Sequence, residues 1–402
     1  MALLATATNL LYLYFSNGDY FFPDSATYLG PARNLLHGLG FVSEPGLPET
    51  LRTPGYPLFL LPFLAITNSA VPVLVVQHLM NVALTIAIYV VVARMTRVRS
   101  AALIAGVIFA IDTPAIHYAN KVLTETPFTV LLFIVFLMAL RLAKAPRLSL
   151  VAATGLLAGA LVLVRPVAIV YFAVLAVVLA RDLRLRGTAV LLVSGALLPF
   201  AWGSWNRIQT GVATITTISG ANMLEHRAGG ALAIFDDYEF RTALADRQSE
   251  LQELADEEIA KREHVADADD VAPALRGRYY GEIGRRIALQ HPMGLILLTI
   301  RGLFVNLFDS DWDAMAVVSR LPESIVELSL NAWTAAVFAF ACTGAVALFR
   351  IDRRFAILLV ATVGYYLLIS AGGEAEARFR VPVAPMIAIA AAAGLQHAFR
   401  RE

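Results

Sequence analysis

Nine apolar stretches, each close to the length needed to cross a bilayer, constrain this chain more than any other feature. A transmembrane helix needs about 20 mostly apolar residues to span a hydrocarbon core about 30 Å thick. Such stretches fall near 71–93, 101–119, 124–141, 148–164, 166–180, 188–205, 328–349, 355–371 and 381–398. Ala2–Phe15 is a tenth, but short. It has no basic n-region and no small-residue cleavage site, so it reads as a clipped first helix and not a signal peptide. Apolar residues make up 58% of the 402 and charged residues 16%, outside the range of a soluble domain. The expectation is an all-α polytopic membrane protein, a bundle of about 10–11 transmembrane helices with further helices on its outer surface.

Basic clusters give the orientation. Arg94, Arg97 and Arg99 follow one span; Arg141, Lys144 and Arg147 another; Arg181, Arg184 and Arg186 a third; Arg350, Arg353 and Arg354 a fourth; Arg400 and Arg401 close the chain. With all of them cytoplasmic the spans alternate and the positive-inside rule holds throughout. The outward loops are then 16–70, the 119–124 corner, the Arg165-Pro166 corner, 206–327 and 372–380. His291–Phe308 is apolar enough to be a span, but counting it would put the Arg350 cluster outside. It also carries Arg301 at its centre, at a cost of about 2.5–3.5 kcal/mol in mid-bilayer. It is therefore expected on the outer surface or tucked against the bundle, and the stretch from Arg52 through Ile66 is expected to be interfacial or re-entrant.

The chain divides into an N-terminal membrane module (1–205) whose first outer loop is 16–70, an extracytoplasmic helical segment (206–327), and C-terminal transmembrane helices (328–402). Tyr238 to Glu263 has neither Gly nor Pro and reads as a solvated helix laced with i,i+4 ion pairs. From Asp236 to Gln290 there are 14 acidic and 8 basic residues, which argues against a surface for anionic lipid. Nothing marks a nucleic-acid partner. There is no P-loop, no dinucleotide fingerprint and no HExxH, and Asp309-Ser310-Asp311-Trp312-Asp313 lacks the glycine and glutamate of an EF-hand. No metal and no cofactor is expected. The one cysteine, Cys342, lies in an apolar run and forms no internal disulfide.

The first outer loop holds Pro23-Asp24-Ser25-Ala26-Thr27-Tyr28 and, further on, Arg52-Thr53-Pro54-Gly55-Tyr56-Pro57. Leu29, Ala32, Leu35, Leu36 and Leu39 follow a helical period that ends at Gly38 and Gly40, which makes a short amphipathic helix with Asp24 at its N-cap. From spacing alone Asp24 is a cap. Arg52, Lys121, Arg165, Arg378 and Arg380 all map to outer span ends, where cations either snorkel or collect around an anion. His78 reads as a satisfied buried histidine and Asp112 as a helix cap.

The order of phrases along nearly the whole chain adds to this. It resembles the polyprenyl-phosphate-sugar-dependent glycosyltransferases of the GT-C fold, the superfamily of the protein O-mannosyltransferases and the lipid A aminoarabinose transferases. The matching phrases are Asp24 in PDSATYLGPARNLLHGLG, Arg52 through Phe59 in RTPGYPLF, Thr124-Glu125 in VLTETPF, GLLAGALVLVRP ending at Arg165-Pro166, Trp205-Asn206-Arg207 in altered order, and Arg378 through Pro385 in RFRVPVAP. Ser25 stands where many members have Glu, so the acidic pair of those proteins is incomplete. At 402 residues the chain is also expected to be without the large C-terminal periplasmic domain some members carry.

The resemblance implies an enzyme of the bacterial plasma membrane with its site facing outward, moving a sugar from a polyprenyl-phosphate donor to an extracytoplasmic acceptor by a single inverting displacement. Asp24 would be the general base. Glu125 would hold the acceptor or serve as a second carboxylate. Arg52, Lys121, Arg165, Arg378 and Arg380 would bind the donor phosphate, with Arg52 and Arg380 foremost, and Tyr28 and Tyr56 would contact substrate. Two rival readings are a secondary transporter or lipid flippase, which should show paired repeats and broken helices at mid-bilayer, and a membrane scaffold without catalysis.

Overall fold

The computed structural model describes residues 1–319 and 321–399, most of them helical; the Arg400-Arg401 cluster lies outside the described residues. The chain opens with α1 (Ala2–Phe15) and α2 (Ser25–Leu36), then a small hairpin of β1 (Val42–Glu44) and β2 (Leu47–Pro48), and α3 (Gly55–Ile66). The chain leaves α2 through Gly38 and Gly40 at φ +75° and +88°, a conformation that favours glycine. The expected apolar stripe of α2 is half right: Leu29 and Ala32 are buried, whereas Leu36 and Leu39 are exposed. At 12 residues α3 is about 18 Å long, too short to cross, as expected of an interfacial or re-entrant piece.

After α4 (Val71–Thr96), the expected 101–119 span is two helices, α5 (Arg99–Ala110) and α6 (Thr113–Ala119), bent by 51°. The cause is local. Asp112 caps α6, accepting the Ala115 N–H at 3.0 Å, and Pro114 has no N–H with which to continue the ladder from α5. In α7 (Glu125–Lys144) an acid opens the helix while Arg141 and Lys144 close it, in line with the helix dipole.

Next come α8 (Leu148–Val164), a 3₁₀ turn at Pro166–Val170, and α9 (Tyr171–Thr210). The last is not straight. Arg184 has φ 54° and ψ 178°, and a Cβ placed on Gly195 would lie 3.0 Å from Phe172 Cγ. On a straight helix those two residues would be about 34 Å apart, so α9 folds back at Arg184 into two antiparallel arms that match the expected 166–180 and 188–205 spans. Glycines let the arms close on α8: a Cβ on Gly159 would meet the Gly195 carbonyl at 2.5 Å.

A segment of short and polar helices follows: α10 (Ile218–Ala221), a π-helical turn Asn222–Ala228, α11 (Gly229–Ala233), α12 (Phe240–Glu263) and α13 (Pro273–Gln290). Leu224, Leu251, Ile259 and Ile283 give it a small core of its own. Then come α14 (Pro292–Phe308), α15 (Trp312–Ser319), α16 (Glu323–Ile351), α17 (Arg353–Ile369), a 3₁₀ turn at Ala377–Val383, and α18 (Ala384–Phe399).

Among the described residues six helical segments are long and apolar enough to cross a membrane, or seven if the bent α5–α6 pair is one span; α1, α3 and α8 are shorter apolar helices. The chain is therefore an all-α integral membrane protein. One of the six segments, Pro292–Ser319, contains the stretch expected to lie outside. Its Arg301 stands 3.6 Å from the ring centroid of Phe240 at the start of α12, and α14 packs on α11 and the 377–383 turn. The cation that argued against a crossing is thus held by the start of α12.

Ion pairs fix the two ends of the bundle. Lys144–Asp352 (3.3 Å) and Arg354–Asp182 (2.8 Å) bring three of the basic clusters to one end. The opposite end gathers residues 19–52, 121–125, Arg165, the α10–α13 segment and 370–380.

Candidate functional site

At that second end three acids and three arginines from five separated parts of the chain meet. Asp24 sits just before α2, but its carboxylate makes no capping hydrogen bond. It instead accepts from Arg52 Nη2 at 2.7 Å and from Arg378 Nη1 at 3.2 Å. Ser25 stabilises the turn in its place, its Oγ accepting the Phe22 N–H at 2.9 Å. The cap expected from spacing is therefore not how this side chain is used.

Arg52 is held at every nitrogen: its N–H donates to Glu49 at 2.8 Å, Nε to Thr27 Oγ1 at 2.8 Å and Nη1 to the Tyr28 hydroxyl at 3.2 Å, with the guanidinium 4.6 Å above the Tyr28 ring. Glu125, at the first turn of α7, accepts from Arg165 Nη1 at 2.7 Å. Arg378 joins the two halves. Its Nε lies 2.8 Å from Glu376 and 3.5 Å from Glu125, yet is aligned with neither as a hydrogen-bond donor. Phe22 and Phe379 flank its guanidinium at 5.0 and 5.1 Å.

Three carboxylates against three guanidiniums leave the group neutral, which is what allows it to be buried. A lone ion taken out of water costs several kcal/mol. Accessibility separates the acids: the Glu125 side chain is 2% exposed and Asp24 31%. Burial pushes the Asp24 carboxyl up, but Arg52 and Arg378 together outweigh it and hold the group below the usual carboxylate range. For Glu376 burial wins and pushes its carboxyl up. Two acids that share one arginine thus differ in basicity.

Asp24, Arg52, Tyr28, Glu125, Arg165 and Arg378 come together; three expected residues do not. Lys121 is taken by Asp19, its Nζ 2.6 Å from the carboxylate. Arg380 is turned away, donating to the carbonyls of Asn306 (3.3 Å) and Asp309, where α14 ends and leaves orphan acceptors. On a 3₁₀ turn, with three residues per turn, positions 378 and 380 cannot share a face. Tyr56 is wholly buried behind Tyr28, its hydroxyl donating to Gln77 at 2.9 Å, and it meets no open space. His78 is a satisfied core histidine, bonded to Asn9 (2.7 Å) and Asn120 (3.3 Å).

Glu376, Thr27 and Glu49 were not foreseen. Glu376 stands two residues before Arg378, and that acid–arginine spacing was the available signal. Arg227 was invisible. From the π-helical turn it donates to the carbonyls of Ile369 (2.6 Å) and Ala371 (2.5 Å), clasping the loop that carries Glu376 and Arg378. Gly372 and Gly373 admit this clasp: a Cβ on the first would lie 3.0 Å from the Arg227 guanidinium, and on the second 2.7 Å from the His226 carbonyl. Among the described residues no three His, Cys, Asp or Glu side chains stand together as a metal site. No protein-family model and no curated protein sequence matches this chain.

Proposed function

We propose that the protein is a GT-C-type glycosyltransferase of the bacterial plasma membrane that moves a sugar from a polyprenyl-phosphate donor to a hydroxyl acceptor on the extracytoplasmic side. The observation that carries this reading is Asp24 set between Arg52 and Arg378 at one end of an apolar bundle. An inverting transfer needs a base for the acceptor and cations for the leaving phosphate, side by side at the membrane surface. In this reading the acceptor oxygen attacks the anomeric carbon as its proton passes to Asp24. The bond from that carbon to the phosphate oxygen breaks, and the polyprenyl phosphate leaves with the added negative charge on the arginines. Arg52, Arg378 and Arg165 are the phosphate ligands, and the unaligned Arg378 Nε is the N–H most ready to donate to a phosphate oxygen. A phosphate entering the cluster draws the guanidiniums from Asp24, and the basicity that they suppress returns when it is needed.

The test is turnover of a lipid-linked donor by the Asp24→Asn protein. General-base removal should lower it by roughly 10²-fold or more, with protein level nearly unchanged, since Asn preserves size. Near-normal turnover would remove Asp24 from the chemistry. A deletion strain with unchanged extracytoplasmic glycans but altered uptake of a solute would favour the transporter reading instead.

A further inference from the structure

A cleft of about 480 Å³ opens beside the cluster, between α2, the β1–β2 hairpin and helices α10 and α13. From its position and lining we infer that it binds a neutral saccharide, the hydroxyl-bearing end of the acceptor; the acceptor role rests on the transferase reading above.

Three observations carry this. The first is place. Thr27, Gly30 and Pro31 of α2 line the cleft, and positions 24, 27 and 31 follow one face of a helix. The cleft therefore begins about one helical turn, about 5 Å, beyond Asp24. Thr27 belongs to both sites, since its Oγ1 also receives Arg52 Nε.

The second is charge. The lining contains two carboxylates, Glu44 and Glu49, while its one arginine, Arg276, is paired with Asp269. An anionic ligand would meet two acids there and only an arginine that is already paired. Glu49 is 4% exposed, and burial pushes its carboxyl up despite the N–H groups of Arg52 and Leu51. A buried carboxyl of that kind hydrogen-bonds readily to hydroxyl groups, which neither add charge nor require it.

The third is shape. Pockets for small organic ligands are typically about 300–1,000 Å³, mostly apolar with a few polar groups that set orientation. Here Tyr280 and Pro31 supply apolar faces for ring C–H groups and Glu49 and Thr27 supply the polar contacts. Tyr280 is itself fixed by its hydroxyl, which donates to Asp256 at 2.6 Å.

Gly30 gives the means of testing it. A Cβ built there meets nothing within 4 Å, so a side chain at this position starts in open space at the wall of the cleft. The purified full-length protein in detergent would be examined by saturation-transfer-difference NMR against neutral hexose and pentose disaccharides and an acidic disaccharide containing a uronic acid. Saturation should reach at least one neutral disaccharide, fall at least tenfold in Gly30→Trp and in Glu49→Ala, and persist in Gly30→Ala. Absence of transfer to every neutral disaccharide, a preference for the acidic one, an undiminished signal in Gly30→Trp, or equal loss in Gly30→Ala would each overturn the assignment. Saccharide binding together with a silent Asp24→Asn would keep the cleft and remove the transferase reading. The reverse pattern would remove the cleft alone.

Discussion

Ion pairs on α12 and α13 and those of the buried cluster do different work. On α12 and α13 they lie on the surface: Arg286–Glu258, Arg278–Glu282, Lys261–Glu257 and Arg247–Glu250, with several of these side chains about half or more exposed. Their members are near neighbours in sequence or on facing helices, and each exposed pair contributes about 0–1 kcal/mol. At the cluster the same chemistry is largely buried, and Asp24 and Arg378 come from positions 354 residues apart. A buried pair is a poor source of stability, because desolvation offsets most of the attraction, but removing one partner is severe. The helix pairs hold a surface together; the buried cluster depends on the whole fold.

The most damaging way to break that contrast is Arg378→Ala. It strips a partner from Asp24, Glu125 and Glu376 at once, and should destabilise the detergent-solubilised protein by about 3–5 kcal/mol, read as an earlier thermal unfolding. Donor turnover should fall at least as far as in Asp24→Asn. Unchanged unfolding would show that water already reaches the pairs and that the cluster resembles the surface ones. Next is Arg227→Ala. Arg227 touches neither donor nor acceptor in the proposed reaction and acts only through the loop bearing Arg378. Turnover should drop about tenfold, through misplacement, and chiefly in the KM for the lipid-linked donor. A fall in kcat alone would contradict a positioning role.

The pH response separates the regions further. The folded pKa of Asp24 is depressed, so its pairing contributes in full above the ordinary Asp value of about 3.9 and is lost as the pH falls through the lower folded value. Asp24's own share of the stability should therefore be lost only in strong acid, and Asp24→Asn should remove that part of the acid-side dependence. The smallest effect is expected from Arg286→Ala, within about 1 kcal/mol of the wild type and fully active. A larger loss would mean that α12 and α13 are coupled to the site more tightly than their exposed pairs imply.

Much of the architecture was legible because burial in lipid imposes long apolar runs. Even the reversal at Arg184 was readable, as a basic break between two apolar stretches. Asp112 as a cap and His78 as a core residue were legible too, each for a local reason. The same evidence nominated Arg380, Lys121, Arg378 and Arg165, yet only the last two join the cluster, because a cation at a span end has several acceptors within reach. The β1–β2 hairpin leaves no periodic trace in so few residues.

The sequence alone determined the class of molecule. Apolar length and basic clusters act locally, and the bilayer leaves the backbone little choice but the helix. It also nominated the first outer loop and the arginines of the last one. Tertiary structure alone decided which arginine meets Asp24, that Glu376 shares it, that Tyr56 turns inward, and that Arg227 clasps the loop from a different segment. These are contacts between residues tens to hundreds of positions apart. Their partners are chosen by how helices pack and by the angle at which a 3₁₀ turn presents each side chain, neither of which leaves a local mark on the chain.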